Sequence, residues 1–313
     1  MLSRIADSLF WLSRYMERTD CLTRMVRTHY ILAFDAGSHS TFEWHDMARL
    51  FASPLTDDSR QKAEQSETVL PFLIAEVANF NSAKVLISRA RENARGVQDN
   101  ITKEVWEQVN QLYHLVNQPG LNNSLAGPRA LEILDQLEQH NTLFYGVTDS
   151  TMPRGLGWNF MNLGKYIERS LLTIDVLQAH FAKIDYRLEP SQDLLYWKHL
   201  LYSLSGYELY LKKYTRGLHN LNVIDHTVFN QDFPRSVVYS LQRVRRYFEY
   251  VEQDTKMEGS IALQKSFGRT CSRVEFTDTQ WVRDQGLAPF LQDLKTDLIE
   301  FSNQLTRIYF SYA

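Results

Sequence analysis

The sequence carries one short pattern twice: Tyr15-Met16-Glu17-Arg18 near its start and Tyr166-Ile167-Glu168-Arg169 just past its middle. The offset of 151 between Tyr15 and Tyr166 also carries Leu12 onto Leu163, Met25 onto Val176, His29 onto His180 and Tyr30 onto Phe181. Farther on, Trp44 aligns with Trp197 at an offset of 153, and Ser82, Arg89 and Arg91 align with Ser236, Arg243 and Arg245 at 154. Offsets that creep upward are what duplication with small insertions leaves behind, and a self-similar period decides architecture before local propensity does. The expectation is an all-α helical bundle in which two tandem copies of a helical repeat, 1–150 and 151–313, are related by a pseudo-twofold axis.

Apolar residues recur at helical spacing along nearly the whole chain. The clearest run is Leu287, Leu291, Leu294, Leu298, Phe301, Leu305, Ile308 and Tyr312. Other helices are expected at about 3–34, 59–80, 82–98, 101–116, 128–144, 154–183, 191–216 and 234–254. The segment 117–128 is rich in breakers, and 146–153 is expected as the seam between the copies. The prolines at 128, 153 and 234 suit a first helical turn, where the missing N–H costs nothing. The segment 255–286 holds either a short helix or irregular structure. Thirteen glycines and eight prolines are few for a chain of 313 residues, which favours helices over turn-rich sheets.

A formal charge of −3 provides no global pull towards nucleic acid or an anionic membrane. No stretch reaches the ~18 apolar residues of a membrane span. The N-terminus mixes charges into its apolar run, unlike a secretory leader. Cys21 and Cys271 lie far apart and are expected as reduced, buried thiols, which places the protein in the cytoplasm. No HExxH, di-iron Glu-x-x-His or complete phosphate loop occurs, so neither a metal nor a cofactor is expected.

On a helical wheel, Trp11, Tyr15, Arg18, Leu22, Met25 and His29 form one stripe, and Ile5, Leu9, Leu12, Met16 and Thr23 form another. A helix apolar on two faces is sandwiched between neighbours. Arg18 and Arg169 therefore sit among apolar groups and need a carboxylate, carbonyls or an anionic ligand. Glu17 lies about 100° around the helix from Arg18, so a crossed pairing is expected, Glu17 with Arg169 and Glu168 with Arg18. Tyr15, Glu17, Arg18, Tyr166, Glu168 and Arg169 thus mark either an ion-pair network or an anion-binding centre. Arg91 and Arg245 stand open between clamping an anion and pairing with glutamates on a solvated face, with Arg95 a secondary candidate on the face of Arg91. Arg89, Arg243 and Arg246 are expected on such a solvated face. Ser82 and Ser236 are expected to cap helices. His29 and His180, about 16 Å up the helix from the motif arginines, are expected as hydrogen-bonded core residues and are secondary site candidates.

The run from Met1 to Arg18 closely resembles the start of the alpha-E family, bacterial helical proteins with a Glu-Arg motif. Asn81-Ser-Ala followed by Arg89-Ala-Arg-Glu-Asn-Ala-Arg95, Met152-Pro-Arg-Gly-Leu-Gly-Trp158 with Gly164-Lys-Tyr-Ile-Glu-Arg169, and Asp232-Phe-Pro-Arg-Ser236 are similar to its later blocks, in order. The resemblance spans essentially the whole chain and implies one alpha-E unit over 1–313. Members are typically encoded beside, or fused with, a circularly permuted ATP-grasp protein, often with a transglutaminase-like protease nearby. The resemblance therefore implies an accessory or scaffold role for a ligase that makes amide bonds on a peptide or small metabolite. Where members have a more acidic segment after the second Met, this chain has Pro153-Arg-Gly-Leu-Gly157. Two other functions fit the residues: an enzyme using Glu17 and Glu168 as acid and base in a central cleft, and a module binding an anionic peptide or nucleotide.

Overall fold

Helical periodicity is realised as helix throughout the computed structural model, which describes residues 1–33, 42–53, 66–215 and 217–310. No strand occurs among the described residues. The chain divides into two compact units, Trp11–Pro153 and a second made of Met1–Phe10 with Arg154–Ala313. Helix α1, Ser3–Leu32, contributes residues to both.

The 11–153 unit continues with α2 (Trp44–Phe51), α3 (Ser66–Ile74), α4 (Ala83–Gly96), α5 (Lys103–Val116), α6 (Leu121–Leu125) and α7 (Ala130–Thr151). Its core is the layer where α5 packs against both α4 and α7. Leu86, Ile87, Ala90 and Ala94 face Val105, Val109, Leu112 and Val116 at the three- and four-residue steps of one helix face, and Ile133, Leu134 and Leu137 close the layer. Each large aliphatic side chain buried this way stabilises the unit by roughly 1.5–3 kcal/mol. Ser82 caps α4 by accepting from Val85 N, and Thr102 caps α5 by accepting from Val105 N.

The other unit contains α8 (Leu156–Ala182), α9 (Leu194–Ser203), α10 (Tyr207–Lys213), α11 (His219–Ile224), a π-turn at Asp225–Phe229, α12 (Val237–Thr255), α13 (Ser260–Glu275), α14 (Thr279–Gln285) and α15 (Leu287–Tyr309). Helix α12 lies along α8, and α13 and α15 pack beside them. Aromatic rings fill this core: Phe267 stacks on Phe301 at 4.2 Å, Phe248 meets Phe301 edge-on at 5.5 Å, and Phe160 sits against Tyr309 and Phe310. Asn220 is the polar hub. Its Oδ1 accepts from Trp197 Nε1 and Gln192 N, and its Nδ2 donates to the carbonyl of Arg187.

Several local expectations need correction. The helix expected over 191–216 is two helices, because Ser205 takes φ 54° and Gly206 turns the chain between them. A Cβ on Gly206 would lie 2.8 Å from Phe233 Cζ and 2.9 Å from His226 Nε2, so only glycine allows this approach. Most of the expected seam is helical: α7 runs on to Thr151, where Thr151 Oγ1 and Thr102 Oγ1 share a hydrogen bond of 2.7 Å. Pro128, Pro153 and Pro234 precede their helices instead of sitting in the first turn. The 59–80 helix is present as Ser66–Ile74; positions 59–65, and the expected end of α1 at 34, lie outside the described residues. The segment 255–286 contains α13 and α14.

Candidate functional site

Residues 11–32 of α1 meet α7 through a ladder of polar contacts. Tyr145 Oη donates to Glu17 at 2.6 Å, Asn141 Nδ2 donates to Thr23 Oγ1 at 3.1 Å, and Arg27 pairs with Glu138 at 3.0 Å. The α7 partners step by three and four residues, so they share one face. Glu17 has no solvent exposure. Arg18, half-buried, donates from Nη1 to Asn81 Oδ1 at 3.0 Å, immediately before the serine that caps α4. Farther along α1, Arg24 and Asp20 form a buried ion pair at 2.6 Å. Tyr15 lies 5.4 Å from the Trp11 ring and 6.0 Å from the Arg89 guanidinium.

The second motif has related surroundings within its own unit. Arg169 Nη1 donates to the carbonyl of Pro234 at 3.3 Å, and Thr173 Oγ1 donates to that of Arg235 at 3.0 Å. Both carbonyls belong to the residues just ahead of Ser236, whose Oγ caps α12 by accepting from Tyr239 N. Glu168 is 1% exposed and Arg169 8%. Tyr166 stacks on Tyr247 at 6.0 Å beneath the Arg169 guanidinium, and burial pushes its phenol up to about 12, partly countered by Arg169.

Arg91, Arg245 and Arg95 have partners on or beside their own helices. Arg91 donates from Nε to Asn110 Oδ1 at 2.7 Å and lies over the Tyr113 ring, so it ties α4 to α5. Arg245 pairs with Glu275 at 2.9 Å, tying α12 to α13. Arg95 is exposed and paired to Glu92 at 2.7 Å. Arg89 and Arg246 are exposed, as expected of a solvated face, but they lie over rings, Arg89 over Tyr15 and Phe80 and Arg246 over Tyr250, while the half-buried Arg243 donates to Tyr239 Oη. Guanidinium planes favour aromatic faces; Tyr239 and Tyr250 stand one helical turn from their arginines, Phe80 lies just ahead of α4, and Tyr15 comes from α1.

Both histidines are core residues. His180 Nδ1 donates to the carbonyl of Val176 at 2.8 Å, and its Nε2 shares a hydrogen bond with His199 Nδ1 at 3.0 Å. His29 packs edge-on against Trp44 at 4.2 Å, and burial lowers its pKa to about 4 despite nearby Asp46. Sequence reasoning missed Tyr145, Asn110 and the carbonyl of Pro234 as partners. Asn81, by contrast, directly precedes a serine recognisable as a cap. No described helix is long and apolar enough to cross a membrane.

Comparison with known proteins places this geometry in context. The model of the Alpha-E family, described as a predicted alpha-helical domain with a conserved ER motif, matches residues 1–310. Uncharacterized proteins of Mycobacterium bovis and Mycobacterium tuberculosis are 23% identical over 277 residues, covering 77% of this chain. The match spans only 29% of each relative, so the chain corresponds to under a third of their length. No solved structure matches.

Proposed function

Because this chain belongs to the Alpha-E family, we propose that it serves as a helical scaffold for an ATP-grasp ligase that forms amide bonds. One observation supports the reading: Glu17, Arg18 and Arg169 each tie their helix to another segment of its own unit. Glu17 is sealed from water with Tyr145 donating to it, and Arg18 and Arg169 brace the approaches to two helix starts. A carboxylate so enclosed is poorly placed to exchange protons with a substrate, which speaks against Glu17 and Glu168 as an acid–base pair. Arg91 and Arg245 are likewise occupied as interhelical ties, which speaks against an anion clamp along their faces. The great length of the relatives beyond the matched region supports a module that works beside other domains.

The same proposal includes a duplicated origin, supported by the paired motifs and by two arginines that each reach the segment before a capping serine. It also includes a cytoplasmic location, with buried free thiols at Cys21 and Cys271. The deciding experiment co-expresses the chain with an ATP-grasp protein encoded beside it. Co-purification, and ligase turnover that depends on this chain, are expected. Full turnover by the ligase alone, with no association at micromolar concentrations, would end the proposal.

A further inference from the structure

We propose that the hollow bounded by α3, the start of α4 and the α5–α6 connection binds a short peptide with a free carboxylate. It lies wholly within the 11–153 unit and has a volume of about 610 Å³. That size is within the range of small-molecule sites. Pro71, Phe72 and Leu121 supply apolar wall, while Gln118, Asn122 and Asn123 bring three primary amides to it.

Three features identify the occupant. Gln118 Nε2 is enclosed and has no hydrogen-bond acceptor, and a turn of this side chain towards the hollow would let an entering carbonyl oxygen satisfy it. Lys84, on the same wall, has no carboxylate within ion-pair distance among the described residues, and an ammonium there suits a ligand carboxylate. Opposite in charge are Glu67 and Glu76, also lining the hollow. Their carboxylates suit a ligand ammonium. Two carboxylates in the wall repel a polyphosphate, whereas a zwitterion with amides between its ends complements every group named.

Isothermal titration of the intact chain with free tripeptides carrying Ala, Leu, Glu or Lys in the middle position tests this directly. At least one should bind saturably, and its C-terminal amide should bind about tenfold more weakly or worse, as loss of a charge-assisted hydrogen bond requires. Lys84→Met should abolish that preference for the free acid, and Gln118→Leu should weaken acid and amide alike. No saturable heat from any of them up to roughly 10 mM, weaker than the millimolar end of specific binding, would overturn the proposal. So would tighter binding of ATP than of every peptide, or unchanged affinities in both variants. Because the isolated chain is titrated, failure here leaves the ligase association untouched, and the reverse holds as well.

Discussion

Protonation of His29 sets a measurable acid sensitivity on the 11–153 unit. Its imidazole is 6% exposed, wedged against Trp44 and Phe42, and burial lowers its pKa from 6.5 to about 4. The folded state therefore holds the ring neutral over a range in which the unfolded chain already binds a proton. Stability from this residue is complete above the unfolded pKa, declines as pH falls through 6.5, and stops declining below about 4. Between about pH 8 and pH 5, linkage with these two values gives a loss of about 2 kcal/mol. The perturbation is His29→Gln, which keeps a polar side chain but cannot titrate. Urea unfolding of both proteins, followed by the fluorescence of neighbouring Trp44, yields their stability difference at each pH. The wild-type advantage should shrink by about 2 kcal/mol on going from about pH 8 to about pH 5. A difference constant across that window would refute the assignment of a buried neutral ring.

Two further outcomes follow from the polar seam of α1. Tyr145→Phe removes the hydroxyl that donates to the enclosed Glu17 and should destabilise the protein by about 1.5–3 kcal/mol in urea unfolding, the range for bonds to charged groups. Arg24→Met strands the buried Asp20 carboxylate and should cost about 3–5 kcal/mol, whereas adding Asp20→Leu should recover much of that loss. Strict additivity of the two substitutions would show that the pair is not coupled.

Much of this architecture was readable from the chain alone, because helical periodicity and capping are local. The stepping of Leu287 through Leu305 required one long helix, and Ser82 and Ser236 were recognisable as caps from residue type and position. The continuation of α7 through Gly146 was not readable, since it depends on Thr151 meeting Thr102 across the unit. Nor was the break at Gly206, which exists to let His226 and Phe233 approach the backbone. The sharpest divide falls at the motif. Sequence could say that Glu17, Arg18 and Arg169 each needed a polar partner, because burial without one is too costly. Which groups answered was decided by packing, which brought Asn81 to Arg18 across 63 residues, Pro234 to Arg169 across 65 and Tyr145 to Glu17 across 128. A demand for charge compensation is a property of one residue and its neighbours along the chain, but its fulfilment depends on which helix faces are pressed together.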